Sequence, residues 1–355
     1  MISGLLQILE LLLLLAASLG TCMSEAKHSP SRLTCTDVPV PFGKSGIARK
    51  GFEIRCKHNS PILQLNGNKS YQIANISLLQ GYLSIYTGAI FQICDMHFTS
   101  GSGLINLTGT PYVISDTQNA LTMVGCNYVA IISPEDLTTS SLAMVGCVTY
   151  CPIDDLIVSG SCSGLGCCQA SIPKGFKSFN MLSGNISDLQ NNRANIPRCS
   201  QAFFANKDSF TFSRDKLLHD VYRKQFSQDG YLMTLDWAIG NETCEEAMGK
   251  KETYACKENS YCYNSTNGSG YRCNCSQGYN GNPYVGCKDI NECEDTKAYP
   301  CVKKCFNKPG SFSCACPHGQ YGDGRKDGSG CMPNEEDTAF PLAVALGNIF
   351  KFYYY

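Results

Sequence analysis

Alternating apolar and polar residues characterise the region from Cys35 to Asn241. In the segment Tyr82-Leu83-Ser84-Ile85-Tyr86, Leu83 and Ile85 fall on one face, because successive side chains of a strand point to opposite sides. Glycine, asparagine and serine separate the surrounding segments, as they do in turns. The pattern predicts a mainly β region.

One helix is expected near the end of this region. Ser213 can cap the N-terminus of a helix that runs to about Phe226. Its apolar side would consist of Leu217, Leu218, Val221 and Tyr222. Gly230 then ends the helix, and Tyr231-Leu232-Met233-Thr234-Leu235 is typical of a further strand.

The N-terminus carries a short apolar stretch from Leu11 to Ala17, followed by small residues. It resembles a secretory signal peptide and is too short to span a bilayer. We therefore assign residues 1–22 to a signal peptide. A buried helix of a cytosolic protein is the alternative, since no Lys or Arg precedes the stretch and Glu10 adjoins it.

Cysteine is the residue type that decides the class of the protein: the 355-residue chain has 23. In an oxidising compartment such density indicates disulfide bridges. If processing removes Cys22, an even number remains. Ten cysteines between residues 35 and 199 can form five bridges, whose connectivity stays open. Adjacent Cys167 and Cys168 are expected to have different partners, because a bridge between neighbours is strained.

Two sets of six cysteines follow and form an internal repeat. The first is Cys244, Cys256, Cys262, Cys273, Cys275 and Cys287, and the second is Cys293, Cys301, Cys305, Cys314, Cys316 and Cys331. Both have a C-x-C step and a long last loop, and both resemble the EGF-like module. Few apolar residues are present to form a core, so cross-links would hold these modules together. Zinc is the alternative, but neither set has paired C-x-x-C spacing or a nearby histidine.

The EGF resemblance implies a one-to-three, two-to-four, five-to-six pairing. The first module, residues 244–287, would contain Cys244–Cys262, Cys256–Cys273 and Cys275–Cys287. The second module, residues 289–331, would contain Cys293–Cys305, Cys301–Cys314 and Cys316–Cys331.

The second module also resembles the calcium-binding EGF signature. The acidic segment Asp289-Ile290-Asn291-Glu292-Cys293 precedes it, and Asn307 lies inside it. Calcium prefers carboxylate, amide and carbonyl oxygens. The resemblance implies side-chain ligands Asp289, Glu292 and Asn307, with carbonyls from Ile290 and from Phe306 or Ser311. The alternative is a degenerate module whose acids are solvated.

The first module lacks this acidic lead-in, since Gly240-Asn241-Glu242-Thr243 precedes it, and we expect no calcium there. Only Lys288 separates Cys287 from Asp289. A bound ion at this junction should therefore stiffen the two modules into a rod.

Three further motifs precede the modules. They are Cys35-Thr36-Asp37-Val38-Pro39-Val40-Pro41-Phe42-Gly43, Cys162-Ser163-Gly164-Leu165-Gly166-Cys167-Cys168-Gln169-Ala170-Ser171-Ile172-Pro173, and Leu235-Asp236-Trp237-Ala238-Ile239. In this order, residues 35–331 resemble the ectodomain of a plant wall-associated receptor kinase. The resemblance implies a galacturonan-binding-like cysteine-rich domain at 35–95, a second cysteine-rich β region at 96–241 and a spacer rod. The expected fold class is mainly β, disulfide-rich and multidomain, with a minor helix.

The implied partner is acidic cell-wall polysaccharide, namely pectin or oligogalacturonides. The chain as a whole carries a net charge of −1, which does not favour nucleic acid. Residues 35–95 are locally basic, with six cations against Asp37, Glu53 and Asp95. The candidate pectin contacts are Lys44, Arg49, Lys50, Arg55, Lys57 and Lys69. An ordinary solvated face is the alternative for these residues. A structural matrix protein, or one that binds other proteins through its EGF-like rod, is the alternative function.

The sequence contains eight N-x-[ST] sequons, which suit a glycosylated extracellular surface. Asn274 lies between Cys273 and Cys275 and is the least suited to modification. The predicted glycosylation sites are Asn68, Asn75, Asn106, Asn185, Asn241, Asn264 and Asn267.

We expect a binding protein and not an enzyme. The five histidines are scattered, and the sequence contains no H-E-x-x-H and no kinase signature. A wall hydrolase would need an acid pair, but adjacent Asp154 and Asp155 are more typical of a solvated loop. Residues 332–355 resemble a juxtamembrane tail truncated at the start of a membrane segment. The expected location is extracellular, in the cell wall or at the outer face of the plasma membrane.

Overall fold

The computed structural model describes residues 33–65, 69–94, 97–100, 104–134, 144–152, 154–186, 199–219, 221–222 and 230–333. The strands are β1 (Ile54–Lys57), β2 (Ser60–Gln64), β3 (Ser70–Ser77), β4 (Tyr82–Thr87), β5 (Phe91–Cys94), β6 (His97–Ser100), β7 (Tyr112–Ile114), β8 (Asn119–Val124), β9 (Tyr128–Pro134), β10 (Val145–Thr149), β11 (Cys167–Ser171), β12 (Phe179–Asn185), β13 (Cys199–Asn206), β14 (Tyr231–Trp237), β15 (Ser260–Asn264), β16 (Tyr271–Cys275), β17 (Tyr279–Asn282), β18 (Gly286–Asp289), β19 (Lys304–Lys308), β20 (Ser311–Ala315), β21 (Gln320–Tyr321) and β22 (Met332–Pro333). The α-helices are α1 (Arg214–Leu218) and α2 (Cys244–Met248).

Three antiparallel sheets form the head, which we define as the described residues from 33 to 241. Their strand orders are β1-β2-β3-β4-β14-β7, β11-β8-β13-β5-β6 and β10-β9-β12. Asn119 of β8 joins the first two sheets, because its amide donates to the Thr234 carbonyl at 2.7 Å and accepts from the Thr234 N–H at 2.8 Å. The fold is mainly β and rich in disulfides, as the sequence predicts.

An aromatic cluster lies at the centre of the head. Trp237 is 1% exposed and packs edge-to-face against Phe42 at 5.3 Å and Phe52 at 5.7 Å. The Pro-Val-Pro-Phe-Gly and Leu-Asp-Trp-Ala-Ile motifs therefore meet in the core, although 195 positions separate Phe42 from Trp237.

Two predicted strands are present, as β4 and β14, and Leu83 and Ile85 are fully buried. The predicted helix begins as expected, with the Ser213 side chain accepting from the Lys216 N–H. However, α1 ends at Leu218, with His219 as its C-cap, so the expectation of a single helix continuing to about Phe226 is only partly met. Residues 221–222 are again helical, while residues 223–229 lie outside the described part of the chain.

Helix packing also differs from the predicted apolar side. Leu217 and Tyr222 are buried, but Val221 is 39% exposed. Two of the four predicted residues are therefore buried against the rest of the head.

Eleven bridges join the cysteines of the described residues. In the head they are Cys35–Cys56, Cys94–Cys199, Cys126–Cys151, Cys147–Cys168 and Cys162–Cys167. Adjacent Cys167 and Cys168 thus have different partners. In the two modules the pairs are those that the EGF resemblance implies: Cys244–Cys262, Cys256–Cys273, Cys275–Cys287, Cys293–Cys305, Cys301–Cys314 and Cys316–Cys331.

The boundary expected between residues 95 and 96 does not separate two independently packed units. β4 pairs with β14, and β5 pairs with β13, so strands from both sides of the boundary share two sheets. The strand register places Leu83 opposite Leu235 and Cys94 opposite Cys199, so each of these sheets contains residues from both sides of the boundary.

The first EGF-like module packs against the head and is not a free spacer, which corrects the expected two-module rod. Ile239 and Tyr271 exchange backbone hydrogen bonds of 2.8 and 3.1 Å. The Tyr284 ring lies 5.9 Å from that of Trp237, and Tyr271, Cys273 and Tyr284 belong to the same buried cluster as the head core. The module thus completes its small core with apolar surface from the head.

Among the described helices, none is both long enough and apolar enough to cross a membrane. The predicted signal peptide and the predicted tail from residue 334 onward lie outside the described residues.

Candidate calcium site and basic cavity

Asp289 and Asn307 meet at the junction of the two EGF-like modules. Asp289 ends β18, and Asn307 lies in β19 of the second module. The Asn307 amide donates to Asp289 Oδ2 at 2.7 Å, and the Gly310 N–H donates to Asp289 Oδ1. The fold therefore brings together two predicted side-chain ligands that are 18 residues apart.

Glu292 is the third predicted side-chain ligand, and it begins a single 3-10 turn, Glu292–Glu294. Its side chain is unusual for a carboxylate, because the residue is only 4% exposed. Its Oε2 atom is buried and has no hydrogen-bond partner among the described residues. Burying a charged oxygen without a partner is costly, so this atom fits a cation ligand.

The Cys293–Cys305 bridge ties the two ligand segments together. It links the turn that carries Glu292 to β19, which carries Phe306 and Asn307. Ser311 begins β20, whose register pairs it with Lys308. One hairpin thus holds both residues named as alternative carbonyl donors, while Ile290 follows Asp289 directly.

The modules contact each other closely beside this site. The Ile290 N–H donates to the Gly278 carbonyl at 2.9 Å. A Cβ atom built on Gly278 would lie 2.2 Å from the Gly310 carbonyl oxygen, so the two backbones leave no room for a side chain. This contact fixes the position of Asp289 relative to the hairpin.

No group of three or more His, Cys, Asp or Glu side chains able to hold a metal occurs within the described ranges. The candidate site has two carboxylates, so it depends on amide and backbone oxygens for the remaining donors. Such a mixture is typical of calcium and not of zinc.

The predicted pectin contacts do not form a single cluster. Arg49 and Lys50 line one cavity, whereas Arg55 and Lys57 lie on the edge strand β1. Lys69 donates to the Leu104 carbonyl at 2.7 Å. Lys44 is exposed in the loop that precedes Arg49.

The cavity has a volume of about 600 Å³ and lies in the head, beside the residues that lead into the first EGF-like module. Its lining comprises Arg49, Lys50, Gly51, Phe52, Glu53, Gly109, Thr110, Pro111, Lys177, Gly240 and Asn241. Sequence reasoning missed Lys177, which lies outside the basic region at 35–95. The only signal for it is the basic pair Lys174 and Lys177 after the double-cysteine motif.

Lys177 is half-buried, and its ammonium group donates to the Thr110 carbonyl at 2.8 Å. Burial lowers the pKa of this ammonium group below its ordinary value. Arg49 donates to the Thr253 carbonyl of the first module at 2.7 Å. The two cations are therefore positioned by different parts of the fold.

The predicted glycosylation site Asn267 is incompatible with the structure. Asn267 is 2% exposed; its amide donates to Asp236 Oδ2 at 2.8 Å and its Oδ1 accepts from Gly175 N at 2.7 Å. A glycan on this nitrogen would break the contact between the module and the head. The exposed predicted sites are Asn75, Asn106, Asn185, Asn241 and Asn264, and Asn68 lies outside the described residues.

Sequence reasoning also missed α2. Thr243 and Glu246 form a capping box, with the Thr243 side chain accepting from the Glu246 N–H and the Glu246 side chain accepting from the Thr243 N–H. The T-x-x-E spacing that opens this helix was the available signal.

Two family models match the chain. The calcium-binding EGF domain model matches residues 289–331, and the wall-associated kinase model matches residues 159–245. No solved structure gives a significant match.

Curated relatives match a larger part of the chain. Wall-associated receptor kinase 5 of Arabidopsis thaliana is 35% identical over 303 residues, which are 80% of this chain and 38% of the relative. Wall-associated receptor kinase 1 of the same plant is 35% identical over 84% of this chain and 41% of its own length. Wall-associated receptor kinase 3 is 31% identical over 82% of this chain and 40% of its own length. The chain thus spans about two fifths of the length of these relatives.

Proposed function

Because this chain carries a wall-associated receptor kinase-like ectodomain, we propose that it binds Ca²⁺ and acidic wall polysaccharide outside the cell. Calcium binds at the second EGF-like module, and a galacturonan such as pectin binds to cations of the head. The location is the cell wall or the outer face of the plasma membrane.

The buried Oε2 atom of Glu292, which has no hydrogen-bond partner among the described residues, carries the calcium proposal. Asp289, Glu292 and Asn307 supply side-chain oxygens, and Ile290 with Phe306 or Ser311 supplies carbonyl oxygens. The match of the calcium-binding EGF domain model to residues 289–331 supports this assignment. Calcium neutralises the two carboxylates and holds the turn against the hairpin.

Replacing Glu292 by Gln tests the site, with Glu294→Gln as the matched control. Glu294 lies in the same turn but accepts from the Asn291 amide at 2.8 Å and is not a proposed ligand. Titration calorimetry should show at least a tenfold loss of calcium affinity for Glu292→Gln and little change for Glu294→Gln. Equal affinity of the two variants would remove Glu292 from the ligand set.

The polysaccharide proposal rests on charge and on family. Galacturonan carries one carboxylate per unmodified sugar, and the head presents cations in the 35–95 region on a chain that is otherwise near neutral. The matched relatives are named as wall-associated receptor kinases. Retention on de-esterified polygalacturonate is expected to fall as salt rises, because exposed charges are screened.

Retention should be measured with calcium and with a chelator. Calcium can bridge carboxylates, so a loss of retention only under chelation would indicate bridging by the ion and not direct contacts with the head. Absence of retention under both conditions would contradict the polysaccharide proposal.

Binding of extracellular proteins through the second module is the alternative function. Phe306, Tyr321 and Met332 of this module are each about half exposed, at 51%, 53% and 47%. Replacing Tyr321 by Ser should weaken a protein interaction and leave retention on polygalacturonate unchanged, because Tyr321 is exposed and is not a proposed calcium ligand. A large deletion is a poorer test, because removing the head would expose the core of the first module.

A further inference from the structure

The 600 Å³ cavity combines segments that are far apart in the sequence. The loop at 49–53, the turn at 109–111, Lys177 and the pair Gly240 and Asn241 all line it. Its size lies within the range of about 300–1,000 Å³ that is usual for small-ligand pockets. This volume is sufficient for a sugar ring with part of its neighbour.

Positive charge predominates in the lining. Arg49, Lys50 and Lys177 face one carboxylate, that of Glu53, which leaves a formal net charge of +2. Glu53 is already partly engaged, because its Oε2 accepts from the Gly51 N–H at 2.8 Å. The cavity therefore favours an anionic ligand over a neutral or cationic one.

Lys177 is the best-positioned cation. Its backbone carbonyl accepts from the Leu107 N–H at 2.8 Å, and its ammonium group donates to the Thr110 carbonyl, also at 2.8 Å. An ammonium group has three donors, so two remain for a ligand. Because the side chain is half-buried, a carboxylate that binds it forms a charge-assisted bond in partly desolvated surroundings.

The rest of the lining suits a sugar. Pro111 offers an apolar ring, while Thr110 and Asn241 offer groups that can exchange hydrogen bonds with hydroxyls.

We propose that this cavity binds a uronic-acid residue, with Lys177 holding the sugar carboxylate and Arg49 and Lys50 holding the approaching chain. This proposal rests on the galacturonan binding proposed above and gives it a site. The first EGF-like module then supports the cavity indirectly, because its Thr253 carbonyl accepts from Arg49.

The test is titration calorimetry of the full chain with a galacturonic acid trimer in the presence of EDTA. Lys177→Gln is compared with Lys174→Gln, an exposed lysine three positions earlier that does not line the cavity. Lys177→Gln should weaken binding tenfold or more, and Lys174→Gln should leave it within about twofold.

A second variant keeps all charges. Gly109 lines the cavity with a φ of +75°, and a Cβ there meets no atom within 4 Å. Asparagine tolerates this conformation, so Gly109→Asn should fold normally and narrow the cavity. It should weaken trimer binding without lowering the melting temperature by more than a few degrees.

The outcomes separate this proposal from the wider one. If the unmodified chain binds the trimer and Lys177→Gln binds it equally, the cavity is not the site, but galacturonan binding stands. If the chain is retained on polygalacturonate but does not bind the trimer, the cavity proposal is overturned alone. If neither ligand binds, both proposals fail. Equal affinity for a methyl-esterified trimer or for inorganic phosphate would overturn recognition of a uronate.

Discussion

Asn267 shows how one side chain can serve structure where its sequence context suggests modification. Its amide donates to the Ile114 carbonyl at 3.0 Å and to Asp236, and its carbonyl accepts from Gly175. These partners belong to the head, while Asn267 itself lies in the first EGF-like module. The sequon is therefore used as an internal connector, which the triplet alone does not reveal.

Replacing Asn267 by Ala should destabilise the head and the first module together. A buried group left without a partner costs about 1–3 kcal/mol, and the buried Ile114 carbonyl loses its partner, whereas the N–H of exposed Gly175 can bind water. Denaturant unfolding measures the loss, with exposed Asn75→Ala as the control. Glycopeptide mass spectrometry should find no glycan on Asn267; an occupied site in folded protein would contradict this contact.

The loss of stability caused by Asn267→Ala should depend on pH. Burial raises the pKa of the Asp236 carboxyl, and the hydrogen bond from Asn267 opposes that rise. A carboxyl whose pKa is higher in the folded state stabilises the fold less as pH rises above its unfolded value, here 3.8. Asn267→Ala raises this pKa further, so its cost should be larger at pH 7 than at pH 4. An equal loss of stability at both pH values would mean that Asn267 does not affect the pKa of the Asp236 carboxyl.

At the scale of elements, sequence patterns predicted those features that depend only on residues near each other in the chain. Strands β4 and β14 follow from alternation, and the Ser213 cap follows from residue type. The end of α1 does not follow from a local pattern. Tertiary packing decides that Leu217 is buried against the rest of the head while Val221 is left exposed. The pairing of Cys35 with Cys56 was equally out of reach, since connectivity depends on the strand register.

The residues proposed to bind calcium belong to a sequence signature, so the sequence alone is sufficient to nominate them. The cavity was not readable. It takes residues from four segments, and the spatial neighbours of Lys177 are set by the way the chain folds in the head.

The contact between the two EGF-like modules can be tested with a single methyl group. A Cβ on Gly278 would lie 2.2 Å from the Gly310 carbonyl oxygen and 2.4 Å from its carbon. Gly278→Ala should therefore displace the hairpin from Asp289 and lower calcium affinity several-fold, as measured by titration calorimetry. Tryptic cleavage after Lys288 should become faster at the same time.

Gly160→Ala is the matched control for this change. Gly160 has a φ of +83°, close to the +79° of Gly278, but a Cβ there meets nothing within 4 Å. It carries the same backbone cost without the clash. If both variants bind calcium as the unmodified chain does, the junction does not position the ligands.

For the whole molecule, the first EGF-like module behaves as part of the head. Its own residues provide little apolar surface, and its Tyr271 and Tyr284 are only 3% and 6% exposed because they pack into the shared core. Six-cysteine spacing identifies the module but says nothing about a neighbour that completes it. The second module contacts the first through the glycine junction and carries a separate bridge set.

Arg272 provides a test of whether the first module unfolds together with the head and separately from the second module. It lies in β16, is 5% exposed, and donates to the Gln80 and Gly81 carbonyls of the head at 3.1 and 3.0 Å. Arg272→Met removes the hydrogen bond to the Gln80 carbonyl, while the Gly81 carbonyl keeps its bond from the Trp237 N–H at 3.2 Å, so the free energy of unfolding should fall by about 1 kcal/mol or more. Hydrogen exchange should report that loss equally at the amides of β4 and β16, because the two elements unfold together.

The amides of β19 and β20 should be unaffected by Arg272→Met, since they belong to the second module. Arg325→Met is the matched control, because Arg325 pairs with Asp327 and lies over the Phe312 ring within that module. It should change exchange in β20 and leave β4 and β16 as they were. Faster exchange in β16 alone after Arg272→Met would instead mean that the first module unfolds separately from the head, and the Thr253 carbonyl would then give Arg49 no fixed partner.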